Sequence, residues 1–196
     1  WFRESAEAGD LESAQAIGFL LQQSEPPEEG ARDYLARAAK GGFKFSQVVA
    51  GAQLGVGEFG GKDLELSFKY LHAAAGNGMA IAERVLGYFY LKGIGTAQDY
   101  AKAHQYFIKE AERGDIAATY FSALQMVYGE GAQQEVAKGL ARLKVAAEKN
   151  DKFAQYQLGK FYHQGRLTKA DPAQALAWLT RAAEQGHSDA QFLVGS

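Results

Sequence analysis

Residues 55–60 read GVGEFG, glycines at the spacing of a dinucleotide-binding turn. Such a turn works only between a strand and the start of a helix, where backbone N–H groups receive a pyrophosphate. Here it follows a helix-like run, and GIG at 93–95 stands in the corresponding place further along, so both are expected to be loops between helices. The four histidines, His72, His104, His163 and His187, include no i, i+4 pair of the kind that holds a metal on a helix. Acid pairs such as Glu28-Glu29 and Asp63-Glu65 fall where helices should begin. Exposed helix starts lack the enclosed cleft that drives two carboxyl pKa values apart for acid–base work. Serine and histidine are scattered without a nucleophile elbow. No catalytic residue, metal ligand or cofactor is expected, and the chain reads as not an enzyme.

The totals narrow the partners. With 196 residues, 47% of them apolar and 22% charged, the chain can build an ordinary core. Its 21 basic residues against 23 acidic give a formal charge of −2, so no global positive field gathers nucleic acid or anionic membrane. Cysteine is absent, which removes disulfides and thiolate sites. No apolar run approaches the roughly 20 residues that span a bilayer, so membrane insertion is not expected.

What organises the chain is a repeat. A turn slot recurs at Gly9, Gly42, Gly78, Gly114, Asn150 and Gly186, spaced 33, 36, 36, 36 and 36 residues apart. Four residues later stands a small side chain (Ser13, Ser46, Ala82, Ala118, Ala154, Ala190), and nine later another (Gly18, Gly51, Gly87, Ala123, Gly159, Gly195). The opening WFRESAEAG matches WLTRAAEQG at 178–186, and YLARAAKGG, YLHAAAGNG, YFIKEAERG and RLKVAAEKN are further copies. The turn slot is a left-handed helix C-terminus, where glycine carries no steric penalty and asparagine is next best. The two small slots are places where a second helix backbone must come close.

Each unit therefore holds two helices. The A helices are expected near 12–22, 45–55, 81–91, 117–128 and 153–163, and the B helices near 28–40, 63–75, 99–113, 135–148 and 171–185. Asp63, Asp99, Glu135 and Asp171 stand 15 residues before their turn slots as N-terminal caps, with Pro172 at the first helical position and Pro27 in the cap slot of the first unit. The expected fold is all-α, a right-handed α-α superhelix of about five two-helix repeats (10–42, 43–78, 79–114, 115–150, 151–186) with partial helices at 1–9 and 187–196. Such a single solenoid, entered and left in mid-repeat, is expected to be a piece of a longer array.

Two stretches, AERVLGYFYLKGIGTAQDYAKAHQYFIKEAERG and AQYQLGKFYHQGRLTKADPAQALAWLTRAAEQG, resemble the Sel1-like repeat family, a tetratricopeptide-like group. The pattern they share with it is small-x-x-x-Leu-Gly, Tyr, a Gly-x-Gly loop, Asp, Ala, Trp-Tyr or Trp-Leu, then Ala-Ala-x-x-Gly. The resemblance covers essentially the whole chain; the first unit lacks the Gly-x-Gly loop, and the fourth has Ala123 for Gly and Met126 for Tyr. It implies an α-solenoid that scaffolds or docks proteins. Members are common in bacteria and often exported, so the resemblance favours a bacterial periplasmic setting, with the cytoplasm as the alternative; the residues themselves leave the compartment open. They include adaptors, envelope assembly factors and immunity proteins that neutralise a secretion-system toxin. The expected function is a non-catalytic interaction scaffold, with toxin immunity, or regulation of a larger enzyme, as the alternatives. The expected partner is another protein, a toxin or envelope component, and the expected state is a monomer or weak dimer.

On a helical wheel the A-helix positions four, eight, nine and twelve past the turn slot share one arc at about 40–180°, the packing face. Positions three, six, ten and thirteen fall on the opposite arc, at about 220–300°, and do not recur in identity. That arc should line the inner wall of a tetratricopeptide-like groove. It is aromatic and slightly basic in the later units, and the residues expected to bind a partner are Arg84, Tyr88, Tyr120, Leu124, Phe153, Tyr156, Lys160 and His163. Tyrosine and arginine supply large contact area with polar ends, as interface hot spots require. The competing reading is that Tyr88, Tyr120 and Tyr156 pack against the next A helix.

Overall fold

A computed structural model of the chain describes residues 1–23, 30–56 and 63–195, apart from the side chains of Arg32 and Val56. Among the described residues there are twelve helices and no strand. Two compact units follow one another, 1–99 and 100–196.

The first unit contains α1 (Phe2–Glu7), α2 (Leu11–Gln22), α3 (Ala31–Lys40), α4 (Lys44–Val56), α5 (Leu64–Gly76) and α6 (Ala80–Lys92). Each helix packs on its predecessor. A Cβ placed on Gly55 would lie 3.2 Å from Ser67 Oγ, and one on Gly51 would lie 2.8 Å from Leu71 Cγ, so α4 and α5 run antiparallel at close approach. Buried Ser67 closes this contact by donating to the Gly51 carbonyl at 2.6 Å.

The second unit contains α7 (Tyr100–Glu112), α8 (Ile116–Tyr128), α9 (Val136–Glu148), α10 (Lys152–Gln164), α11 (Pro172–Glu184) and α12 (Ser188–Gly195). Its core joins Ala123, Val127, Leu143, Ala146, Ala154, Leu158, Phe161 and Trp178. The expected A and B helices are present with ends within a residue or two of the sequence reading, except that α3 is described only from Ala31. Pro27 and Glu28-Glu29 lie outside the described residues.

The turn slots behave as a helix end demands. Gly9, Gly42, Gly78, Gly114 and Gly186 have φ between 77° and 107°, and Asn150, at 69°, is the one non-glycine residue among the described residues with positive φ. The chain thus turns the same way wherever helix B hands over to helix A. Asp63 and Asp171 cap as expected, accepting 2.9 and 3.0 Å bonds from the N–H groups of Leu66 and Gln174. Glu135 does not: its extra methylene carries the carboxylate past the backbone, and it pairs instead with Lys138 at 3.2 Å.

The fourth repeat shows why Ala123 is tolerated in a glycine slot. Where Gly159 sits in α10, its neighbour on α11 is Ala175; where Ala123 sits in α8, the facing residue on α9 is Gly139. A Cβ on Gly139 would stand 2.8 Å from the Ala123 carbonyl oxygen and 2.7 Å from Val127 Cγ2. The methyl group has changed sides, and the two backbones still meet.

Candidate protein-binding surface

Helix A presents two unlike faces. Positions four, eight, nine and twelve past the turn are buried in α4 (Ser46, Ala50, Gly51, Leu54), α6 (Ala82, Leu86, Gly87, Tyr90) and α8 (Ala118, Ser122, Ala123, Met126). The opposite arc stays open in the first unit, where Phe45 is 53%, Ile81 47% and Tyr88 40% exposed, with Arg84 half-buried one turn before Tyr88.

In the second unit the arc becomes a strip of rings. Phe153 is 50% exposed at the start of α10. Its ring centroid lies 6.3 Å from Tyr120 on α8 and 5.5 Å from His187, the residue just before α12. His187 also stacks on Tyr156 at 4.3 Å with an interplanar angle of 19°. Two ammonium groups border the rings: Lys152 Nζ is 5.6 Å from the Phe153 centroid and Lys160 Nζ is 6.0 Å from that of Tyr156. Cations at such distances are attracted to the negative ring face.

The tyrosines of the second unit are packed on one side and partly open on the other. Tyr156 packs on the Leu179, Ala182 and Ala190 cluster, and Tyr120 and Leu124 on the main core of the unit, while all three keep some solvent contact. Burial, with Asp151 nearby, pushes the Tyr120 phenol up to about 12. Lys160 is half-buried and His163 is exposed at the end of α10.

Two points differ from the wheel. Val127, at position thirteen, is fully buried, because Gly139 leaves a gap on α9 that its side chain fills. His163 is not the only histidine here, since His187 enters the strip. It follows its turn slot directly, where Asp10, Asp115 and Asp151 stand in other units and accept 2.9, 2.7 and 2.7 Å bonds from the N–H groups of Ser13, Ala118 and Ala154. In that position the Nδ1 of His187 faces the Ala190 N–H at 3.4 Å. These aspartates cap the A helices and could have been found as acids one residue beyond the turn.

Gly55 of the GVGEFG stretch lies within α4, a helix where a dinucleotide turn would need a strand, and residues 57–60 are outside the described residues. Among the described residues no three His, Cys, Asp or Glu side chains gather where an ion could be held. No helix among them is long and apolar enough to cross a membrane.

A model of the Sel1 repeat matches residues 23–43, 50–79, 80–115 and 152–187. The chain belongs to the Sel1 repeat family. Between the last two of those stretches lies the repeat with Ala123 and Met126, which the family model does not match and which forms the helix pair α8–α9. A Sel1 repeat protein from Oxalobacter formigenes has a similar structure, 27% identical with a TM-score of 0.83, over 94% of this chain and 75% of that one. A protective antigen from uropathogenic Escherichia coli strains, displaying an SLR fold, is 28% identical with a TM-score of 0.79 over all of this chain, which spans 42% of that protein's length. A Klebsiella pneumoniae protein described as a sel1 repeat protein, 19% identical with a TM-score of 0.53 over 99% of this chain and 96% of its own, shares the fold. None of the curated proteins matches the sequence. Sel1 repeat proteins are generally non-catalytic scaffolds for protein interaction.

Proposed function

We propose that this chain is a non-catalytic scaffold that docks a partner protein on the open arc of its A helices, the arc expected to line the groove, with the Tyr120, Phe153, Tyr156 and His187 rings as the principal contact. The observation that carries this reading is the half-exposed Phe153 ring set between other rings and bordered by Lys152 and Lys160. Rings already held by stacking lose little freedom when a partner covers them. Apolar side chains of the partner would cover Phe153, and carboxylates would meet the two ammonium groups. Leu124 on α8 and His163 at the exposed end of α10 lie on the same arc, and Arg84 with Tyr88 offers a similar surface on α6.

The test is a photo-reactive amino acid placed at Phe153 in the native host, with a control at Leu176, which is 57% exposed on α11. A discrete cross-linked partner at position 153 but not 176, lost when Tyr120 and Tyr156 are both changed to Ala, is the expected result. Cross-linking that is equal at the two positions, or indifferent to the tyrosines, would refute the assignment.

A further inference from the structure

A second surface lies on the B-helix side of the second unit. Between the end of α7 and the length of α9 runs an open groove of about 400 Å³. It is lined by Ala111 and Glu112 at the end of α7, Thr119 on α8, and Lys138, Ala141, Arg142, Val145 and Lys149 along and just past α9, so three cations stand against one carboxylate around small and apolar side chains.

The fourth repeat departs from the others at the residues that make this groove. Eight places before the turn slot the units carry Trp1, Tyr34, Tyr70, Tyr106 and Trp178, but here Arg142. Five places before it they carry Glu4, Arg37, Ala73, Lys109 and Arg181, but here Val145. An aromatic ring has become a cation, whose Nη1 donates to Ser122 Oγ at 3.4 Å, and a mostly charged site has become an apolar one, 45% exposed.

Lys138, Arg142 and Val145 on α9 and Lys149 capping its end stand at i, i+4, i+7 and i+11, one stripe about 16 Å long at the helical rise of 1.5 Å per residue. Two alanines in the lining, Ala111 and Ala141, let another backbone come close, as ridge-into-groove packing of a third helix requires. We infer that this groove binds an acidic amphipathic helix of a partner protein, three turns long, whose apolar edge covers Val145 and whose carboxylates meet Lys138, Arg142 and Lys149. The Lys138–Glu135 pair is exposed at both ends and yields readily to a better-placed carboxylate.

The probe is a synthetic helical peptide of about fourteen residues, leucine along one edge and glutamate on both flanks, titrated into the isotope-labelled chain. Amide shifts should appear on α7 and α9, around Ala141, Val145 and Lys149, and not around Phe153. Affinity should fall as salt rises, and fall by about tenfold in Lys149→Glu and in Val145→Ser, two exposed sites where helicity by circular dichroism should not change. Equal binding of the peptide with glutamine for glutamate would overturn the inference. So would shifts confined to the Phe153 strip, or an oligonucleotide of the same charge that binds the groove as tightly.

Discussion

Gln185 Nε2 donates to Gln155 Oε1 at 2.7 Å, joining the end of α11 to the second turn of α10 across 30 residues. Gln155 itself donates to the Ala147 carbonyl and to Asn150 Oδ1, both at 3.1 Å, so one buried amide ties helix α9, the turn and helix α11 together. Gln47 occupies the same place in the first unit and makes the same bond to a preceding helix end, Ala39, at 3.3 Å, but its buried Oε1 has no partner. Replacing Gln155 by Leu should cost about 1–3 kcal/mol, and replacing Gln47 by Leu less than about 1 kcal/mol, because the second change also removes an unsatisfied oxygen. Urea unfolding of the two variants, side by side, checks the ordering; equal losses would mean the oxygen of Gln155 contributes nothing.

The exchange of glycine and alanine between α8 and α9 makes a cycle. Gly139→Ala alone should destabilise by about 1–3 kcal/mol, since the new methyl meets a backbone oxygen that cannot swing away. Ala123→Gly alone should cost up to about 1 kcal/mol through helix propensity. The pair is expected to be less damaging than the sum, with a coupling of at least about 0.5 kcal/mol, measured as a double-mutant cycle. Strict additivity would show that the two positions do not share one contact.

Caps should sort by geometry rather than by charge. Asp115 and Asp151 accept short bonds from the third N–H of their helices, whereas Glu135 makes no such bond. Changing either aspartate to Ala is expected to cost about 0.5–2 kcal/mol, and changing Glu135 to Ala only a few tenths. Thermal melts of the three single variants read this directly, and a Glu135 loss as large as the aspartates' would contradict the assignment.

His104 should make stability fall in mild acid. Burial holds its imidazole below the ordinary value of 6.5, and Arg142 adds to this, while the contact of Nδ1 with Gln125 Oε1 at 3.2 Å works the other way. The unfolded chain therefore takes up the proton first as pH drops. The contribution is full above about 6.5 and is lost as pH falls through the folded value. Melting temperatures taken from about pH 7.5 down to 5 should decline more steeply for the natural chain than for His104→Gln; parallel curves would remove the histidine from the account.

Periodicity exposed the helices because a turn that needs positive φ leaves its mark in residue type: five glycines and Asn150. Gly159 was legible for the same reason, since close approach selects small side chains wherever it occurs. Gly139 was not, because a small residue can sit on either of two touching helices and only their contact shows which one yields. The open arc was legible from an ideal wheel at Phe45, Ile81, Tyr88 and Phe153, and failed at Val127, where the neighbouring helix had made room. A wheel knows one helix at a time.

By itself the sequence determined the two-helix unit, its 36-residue pitch, its glycine turns and its membership in a family of scaffolds, because each of these is written in local residue type. Tertiary structure alone decided that His187 stacks on Tyr156, that Gln185 reaches Gln155, and that Arg142 and Val145 line a groove with Ala111. These meetings join residues about 30 apart, and the distance between them is set by how one helix pair settles on the next, a packing outcome that no single segment encodes.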